Sequence, residues 1–247
     1  MMVQRVELLQ YLNDLLKPEQ FKDYCPNGLQ IEGTDTIEHL VTGVTACQAL
    51  IDQTAQAKAS ALLVHHGFFW KNEAPQLVGM KHHRVKTLIQ NDINLIGYHL
   101  PLDAHPTLGN NAQLASQLKL SIDQTFGDQN LAVAGNIDIS TKALSDRLCQ
   151  VLSRPPEVFG ASRQIKRLGI CTGAAQGFLT QAAELGLDAF ISGEVSESTF
   201  HIAEELNIQY FAAGHHATER FGVQAVGAHL AEHFGISHQF IDINNPI

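Results

Sequence analysis

The sequence predicts an α/β protein of two similar lobes with mixed, largely parallel sheets, and three observations carry that expectation. Short apolar runs alternate with helix-length amphipathic segments along most of the chain, the pattern that builds parallel sheets flanked by helices. A long stretch also repeats. ACQALIDQTAQAKASALLVHHG, starting at Ala46, aligns without a gap on AAQGFLTQAAELGLDAFISGEV, starting at Ala174. Farther on, INLIGYHLPLD lines up with LNIQYFAAGHHATE, each delivering His and a carboxylate after an apolar run. Finally, 247 residues with 45% hydrophobic and 17% charged content suffice for two compact cores.

The elements follow in order. Val6, Leu8, Leu9, Leu12, Leu15 and Leu16 recur at helical spacing, so the chain should open with an amphipathic helix. Pro26-Asn27-Gly28 is turn chemistry. Strands are expected at 39–44, 61–65, 93–98, 167–171, 189–192, 209–213 and 239–243, where short apolar runs stand between breakers. Helices are expected at 48–57, 84–90, 111–118, 177–185, 197–206 and 218–234. The stretch 119–141 holds Gly127, Asp128, Gln129 and Asn130 and no helical pattern, so it reads as the join of the repeat. The lobes are therefore expected at 1–125 and 126–247.

Composition narrows the function. A net charge of −9 opposes any broad grip on nucleic-acid phosphates, so no direct nucleic-acid partner is expected. No apolar run reaches the roughly 20 residues of a membrane span. The opening MMVQRVELLQYLNDLL breaks its apolar residues with polar ones, unlike a signal peptide. Cys25, Cys47, Cys149 and Cys171 are scattered without a C-x-x-C pair and read as reduced, and the expected location is the cytoplasm.

Histidine is in excess. There are 13 against 16 Lys plus Arg, and six form the doublets His65-His66, His82-His83 and His215-His216. His65 and His66 end an all-apolar run, and in open α/β sheets ligands bind beyond the carboxyl ends of strands. Adjacent strand side chains diverge, so each imidazole is expected to serve a different ion, or one faces the core and the other solvent. In AAGHHATER, His215 and Glu219 stand at the i, i+4 spacing of one helix face; the plainer reading is a first-turn Glu beside a capping His. GYHLPLDAHPTLGNN places His99, Asp103 and His105 in a Pro- and Gly-bounded loop, where site residues concentrate, although Asp103 alone could form a turn. Nitrogen and carboxylate donors suit Zn, Mn or Fe. MKHHRVK, with His82 and His83, reads as a solvated basic face. GICTGAAQG lacks the spacing of a phosphate-binding glycine loop.

The stretches YCPNGLQIEG, VTGVTACQAL, LLVHHGFFWK, YHLPLDAHPTLGNN, FISGEVSE and AAGHHATER occur in this order along the whole chain. In them the protein resembles the family of GTP cyclohydrolase 1 type 2 homologues, also called Nif-three-like dinuclear metal-centre proteins, in its two-lobe bacterial form. The resemblance implies two divalent metal ions per subunit between the lobes, with His65 and His66 each holding one. It adds Asp103 and His215 as further ligands and Glu219 as the bridge. His99, Glu194 and His105 are candidates for substrate contact or acid–base work, and His216 is a catalytic candidate as a proton carrier. Many members read HHP and GHY where this chain has His65-His66-Gly67 and Gly214-His215-His216; the second change sets an extra imidazole beside the site. The implied activity is a metal-dependent hydrolase acting on a small nucleotide-like substrate, GTP by the family's name, in a homohexamer. The alternatives are a phosphoester hydrolase on the same site, or a non-enzymatic metal-binding or regulatory protein.

Overall fold

In the structure, a computed structural model describing residues 1–247, the chain forms two compact α/β units. The first comprises Met1–Leu102 with Gly222–Asn244, the second Asp103–Phe221 with Asn245–Ile247. These differ from lobes at 1–125 and 126–247 for a physical reason. The last strand pairs with a strand of the first unit, whereas Leu114 and Leu118 bury in the core of the second, against Leu144 and Leu148.

The first unit opens with β1 (Val3–Gln4) and α1 (Arg5–Leu16). Leu8, Leu12 and Leu16 form the buried stripe of α1, while Val6 is exposed. β2 (Gly28–Ile31), β3 (Thr36–Ile37), β4 (His39–Thr45), α2 (Gln48–Gln56), β5 (Ala61–His66), α3 (Gly79–Gln90) and β6 (Asn94–Gly97) follow. β4, β5 and β6 are parallel neighbours, and β2 closes one side antiparallel to β6. The four residues of β6 and the first five of β5 are buried, as strands covered on both faces must be. Their side chains meet Leu50, Ile51, Val85 and Leu88 in one core.

α4 (Leu100–Ala104) carries the chain into the second unit. There α5 (Asn110–Leu118), β7 (Ser121–Phe126), β8 (Ala132–Ser140), α6 (Thr141–Leu152), β9 (Glu157–Phe159), β10 (Gln164–Ile170), α7 (Leu179–Glu184), β11 (Ala189–Ser192), α8 (Glu197–Glu205), β12 (Gln209–Ala212) and α9 (His215–Thr218) succeed one another. The sheet runs β7-β8-β10-β11-β12-β9. β10, β11 and β12 are parallel neighbours, with β9 antiparallel against the third. The first unit repeats that plan with β4, β5, β6 and β2, which agrees with the sequence repeat. α10 (Arg220–Phe234) and β13 (Ser237–Phe240) return to the first unit. There Tyr11 of α1 stacks on His229 and His233 of α10, and β13 lies parallel to β4.

Most expected elements are present, and the departures have local causes. The segment 119–141, expected to lack a helix, is largely an antiparallel pair, β7 with β8. β7 reads SIDQTF and exposes most of its residues at the sheet edge, so it shows no apolar run. α6 buries only Thr141, Leu144, Leu148 and Leu152, a thin stripe in a polar segment, and Ser140 caps it by accepting from the Ala143 N–H at 3.3 Å. α3 starts at Gly79, earlier than 84. β13 lies at Ser237–Phe240, displaced from 239–243. No helix is long and apolar enough to cross a membrane.

Candidate metal centre

In the first unit the donors sit where the parallel strands end. Register places His66, the last residue of β5, opposite Thr45 of β4, and Tyr98 follows β6 with its N–H on the Val64 carbonyl at 3.1 Å. His65 is fully buried. Its Nδ1 lies 3.1 Å from the Tyr98 carbonyl. A carbonyl only accepts, so Nδ1 carries a proton. His66 Nδ1 meets the Thr45 hydroxyl at 3.1 Å. Contrary to divergence along a pleated strand, the two rings approach to 4.6 Å between centroids, because the ladder ends at His66.

His99 joins them. Its ring lies 5.1 Å from His65 and 5.7 Å from His66, and the three residues offer ligand atoms within 4.8 Å of one another. His99 donates Nδ1–H to Asp23 Oδ1 at 2.7 Å. Asp23 organises this corner: it also accepts from the Tyr24 and Leu100 N–H groups and the Asn27 amide. Burial opposes its charge, but the hydrogen bond and charge of His99, with the bonds from Asn27 and Tyr24, hold its carboxyl at about 2. Asp23, Cys25 and His99 are also close enough to share an ion. Burial and the Asp23 carboxylate push the Cys25 thiol up to about 12, so it is protonated at neutral pH.

The second unit collects carboxylates and one imidazole at the ends of β10, β11 and β12. Asp103, 8% exposed, accepts from Asn110 Nδ2 at 2.9 Å and from the Thr172 hydroxyl at 3.3 Å. α9 ends at Glu219, whose φ of −101° and ψ of 6° leave helical geometry. His215 and Glu219 nevertheless meet across one turn, Nε2 to Oε2 at 3.1 Å. His215 Nδ1 donates to Glu194 Oε1 at 2.7 Å. Burial alone would lower the basicity of His215, but the Glu219 and Glu194 carboxylates outweigh it and raise the imidazole to about 9. Both ring nitrogens therefore carry protons in the metal-free protein at neutral pH.

Glycine makes room for this arrangement at two positions. A Cβ on Gly173, where φ is +71°, would lie 2.2 Å from Glu219 Oε1, and one on Gly193 would lie 2.6 Å from the Gly173 carbonyl and the His215 Cα. Cys171 is buried beside Asp103 and Glu219; burial first and those carboxylates second push its thiol well above the ordinary range.

The expected residues thus fall into two sets. His65, His66 and His99 converge in the first unit, and His215, Glu219 and Glu194 converge in the second, with Asp103 and Glu219 both acting on Cys171. His105 Nδ1 accepts from the Leu108 N–H at 3.0 Å and closes its own turn. His216 is buried, with its N–H on the Ile247 carbonyl at 3.0 Å. His82 and His83 are exposed on α3. Sequence reading missed Asp23, Thr45, Asn110 and Thr172, which are common residue types with no spacing rule to expose them. The donors fit divalent ions: imidazole nitrogens and carboxylate oxygens, with Cys25 and Cys171 held as thiols.

Comparison with known proteins shows the family and the fold. Residues 3–246 match the model of the Duf34/NIF3 (NGG1p interacting factor 3) family. The chain is 51% identical to a protein named GTP cyclohydrolase 1 type 2 homolog from Vibrio cholerae, over 98% of this chain and 99% of that one. It is also 51% identical to a protein of the same name from Yersinia pestis, over 99% and 100%. Among solved structures, the protein ybgI, described as of unknown function, superposes with a TM-score of 0.96 at 46% identity, covering 99% of this chain and all of the other. TTHA1606 from Thermus thermophilus gives 0.90 at 34% identity, over 99% and 100%.

Proposed function

The chain belongs to the Duf34/NIF3 family, and from that premise we propose that it is a dinuclear metal protein working as a metal-dependent hydrolase on a small nucleotide-like substrate. His65, His66, Asp103, His215 and Glu219 would hold the ions, imidazole nitrogens and carboxylate oxygens being the donors such ions take. The observation that carries the reading is the tethering of the imidazoles. His65, His66 and His215 each have Nδ1 engaged by an oxygen partner, at 3.1, 3.1 and 2.7 Å. Ligating histidines are oriented in this way, with the other nitrogen aimed at the metal.

Bound divalent ions would supply Lewis-acid activation of water and of an electrophilic centre. The residues of the chain do the rest. Glu194 holds the His215 ring by its Nδ1–H, so that Nε2 would be the nitrogen offered to an ion. Asn110 and Thr172 orient the Asp103 carboxylate. His99, its Nδ1 tied to Asp23, would move a proton at Nε2. The name of the curated relatives supports opening of a purine ring as the first reaction to try, and phosphoester hydrolysis as the second.

The experiment offers GTP and generic phosphoesters to protein loaded with Mn, Fe or Zn, beside a Glu219→Ala control. Turnover that the control lacks is expected. Absence of turnover with every metal, while the ions still bind, would leave a metal-binding protein without hydrolase activity.

A further inference from the structure

The loops 21–27 and 67–73 of the first unit, outside the ligand set, bring two aromatic side chains to His99. Tyr24 is 57% exposed, and its ring stands 6.5 Å from His99 at 63°. Trp70 stands 5.0 Å from His99 at 81°, and 5.9 Å from His66 at 54°. These contacts are edge-on or tilted rather than parallel stacks.

The two loops are tied in place. Lys71 N–H donates to the Tyr24 carbonyl at 2.6 Å. Gln30 bridges them, donating to the Pro26 carbonyl at 2.8 Å and accepting from the Phe68 N–H at 2.7 Å. The Trp70 indole N–H is spent on the Gly67 carbonyl at 3.1 Å, which fixes the ring and removes its one polar handle. Phe69 adopts a φ of +65°, a conformation a bulky residue rarely takes, and so turns the chain between Phe68 and Trp70.

We infer that Tyr24 and Trp70 form a stacking platform for a flat conjugated ring, a nucleobase, held beside His99. Rigid aromatic faces bind bases by stacking whatever their edge pattern. The Asp23 carboxylate and the Asn27 amide nearby are engaged by protein partners, so the platform grips the ring's face rather than reading its edge. This deepens the hydrolase reading by naming the part of the substrate held there, and it rests on that reading only for setting the ring near the ions.

Trp70 is the only tryptophan, so its fluorescence reports the platform directly. The chelator-treated full chain is titrated with guanosine 5′-monophosphate, ribose 5-phosphate and inorganic phosphate. The nucleotide should quench Trp70 saturably, and the two ring-less probes should not. By equilibrium dialysis, Tyr24→Ala and Trp70→Ala should each weaken nucleotide binding about tenfold, and Trp70→Phe should stay within about threefold of wild type. The inference is overturned if ribose 5-phosphate binds as tightly as the nucleotide, or if both alanine variants bind it like wild type. Should Trp70→Ala fail to fold, the exposed Tyr24→Ala decides alone. Binding is read without metal or turnover. Nucleotide binding without turnover in loaded protein would therefore refute the hydrolase reading alone, and turnover without platform binding would refute this inference alone.

Discussion

Replacing Glu194 by Gln tests whether His215 is held as an imidazolium between two carboxylates in the metal-free protein. The imidazole is raised from 6.5 to about 9, and a difference of that size is worth about 3–4 kcal/mol at roughly 1.4 kcal/mol per pH unit. His215 is 24% exposed, so solvent screening trims the figure only modestly. Glu219 makes the larger favourable contribution and Glu194 the smaller, which leaves about 1 kcal/mol for Glu194. A raised basic group stabilises the fold fully below its unfolded value and loses that contribution as pH rises through the folded one. Chelator-treated Glu194→Gln should thus be less stable than wild type by about 1 kcal/mol at pH 6, and the difference should shrink to nothing by about pH 9.5. Urea unfolding of both proteins across that range is the assay. A deficit that persists unchanged at high pH, or no deficit at pH 6, refutes the argument that charge on His215 is what Glu194 stabilises.

Four further outcomes follow from other contacts. Gly173→Ala sets a Cβ 2.2 Å from Glu219 Oε1 at a backbone φ of +71°, so metal affinity measured by competition with a chelator should drop at least about tenfold. Thr45→Val removes the hydroxyl that orients His66 and should lower affinity by about 10–100-fold, with far-ultraviolet circular dichroism unchanged. Asp23→Asn puts an amide where four donors converge and should cost about 2–3 kcal/mol by denaturation. In wild type the Asp23 carboxyl, held at about 2 against an ordinary 3.8, contributes stability that is present above 3.8 and is lost as pH falls through about 2. Acid titration of Asp23→Asn should lack that step.

The parallel strands were legible because burial on both faces writes them as continuous apolar runs: ALLV in β5 and the AFIS of β11 are read directly from the sequence. β7 was not, because an edge strand facing solvent needs no apolar pattern. The unit boundaries were hidden for a related reason. β13 pairs with β4 across almost the whole chain, and nothing local in SHQF announces a distant partner. At the site, the doublet His65-His66 and the His215…Glu219 spacing were visible because the residue types are rare and the helical period is fixed. Thr45 and Asp23 acquire their roles only from register and loop closure. Glu194, an acid–base candidate by sequence, accepts the Nδ1–H of His215 at 2.7 Å.

Whether His65, His66, Asp103, His215 and Glu219 hold divalent ions is decided by metal stoichiometry. Protein purified, stripped and reloaded with Zn or Mn is analysed by elemental mass spectrometry beside His65→Ala, His215→Ala and Glu219→Ala. Two ions per chain are expected in wild type, with loss of one or more in each histidine variant and loss of both or a large fall in affinity in Glu219→Ala. Wild-type protein that takes up no divalent metal, or variants that keep wild-type stoichiometry and affinity, would contradict that ligand set.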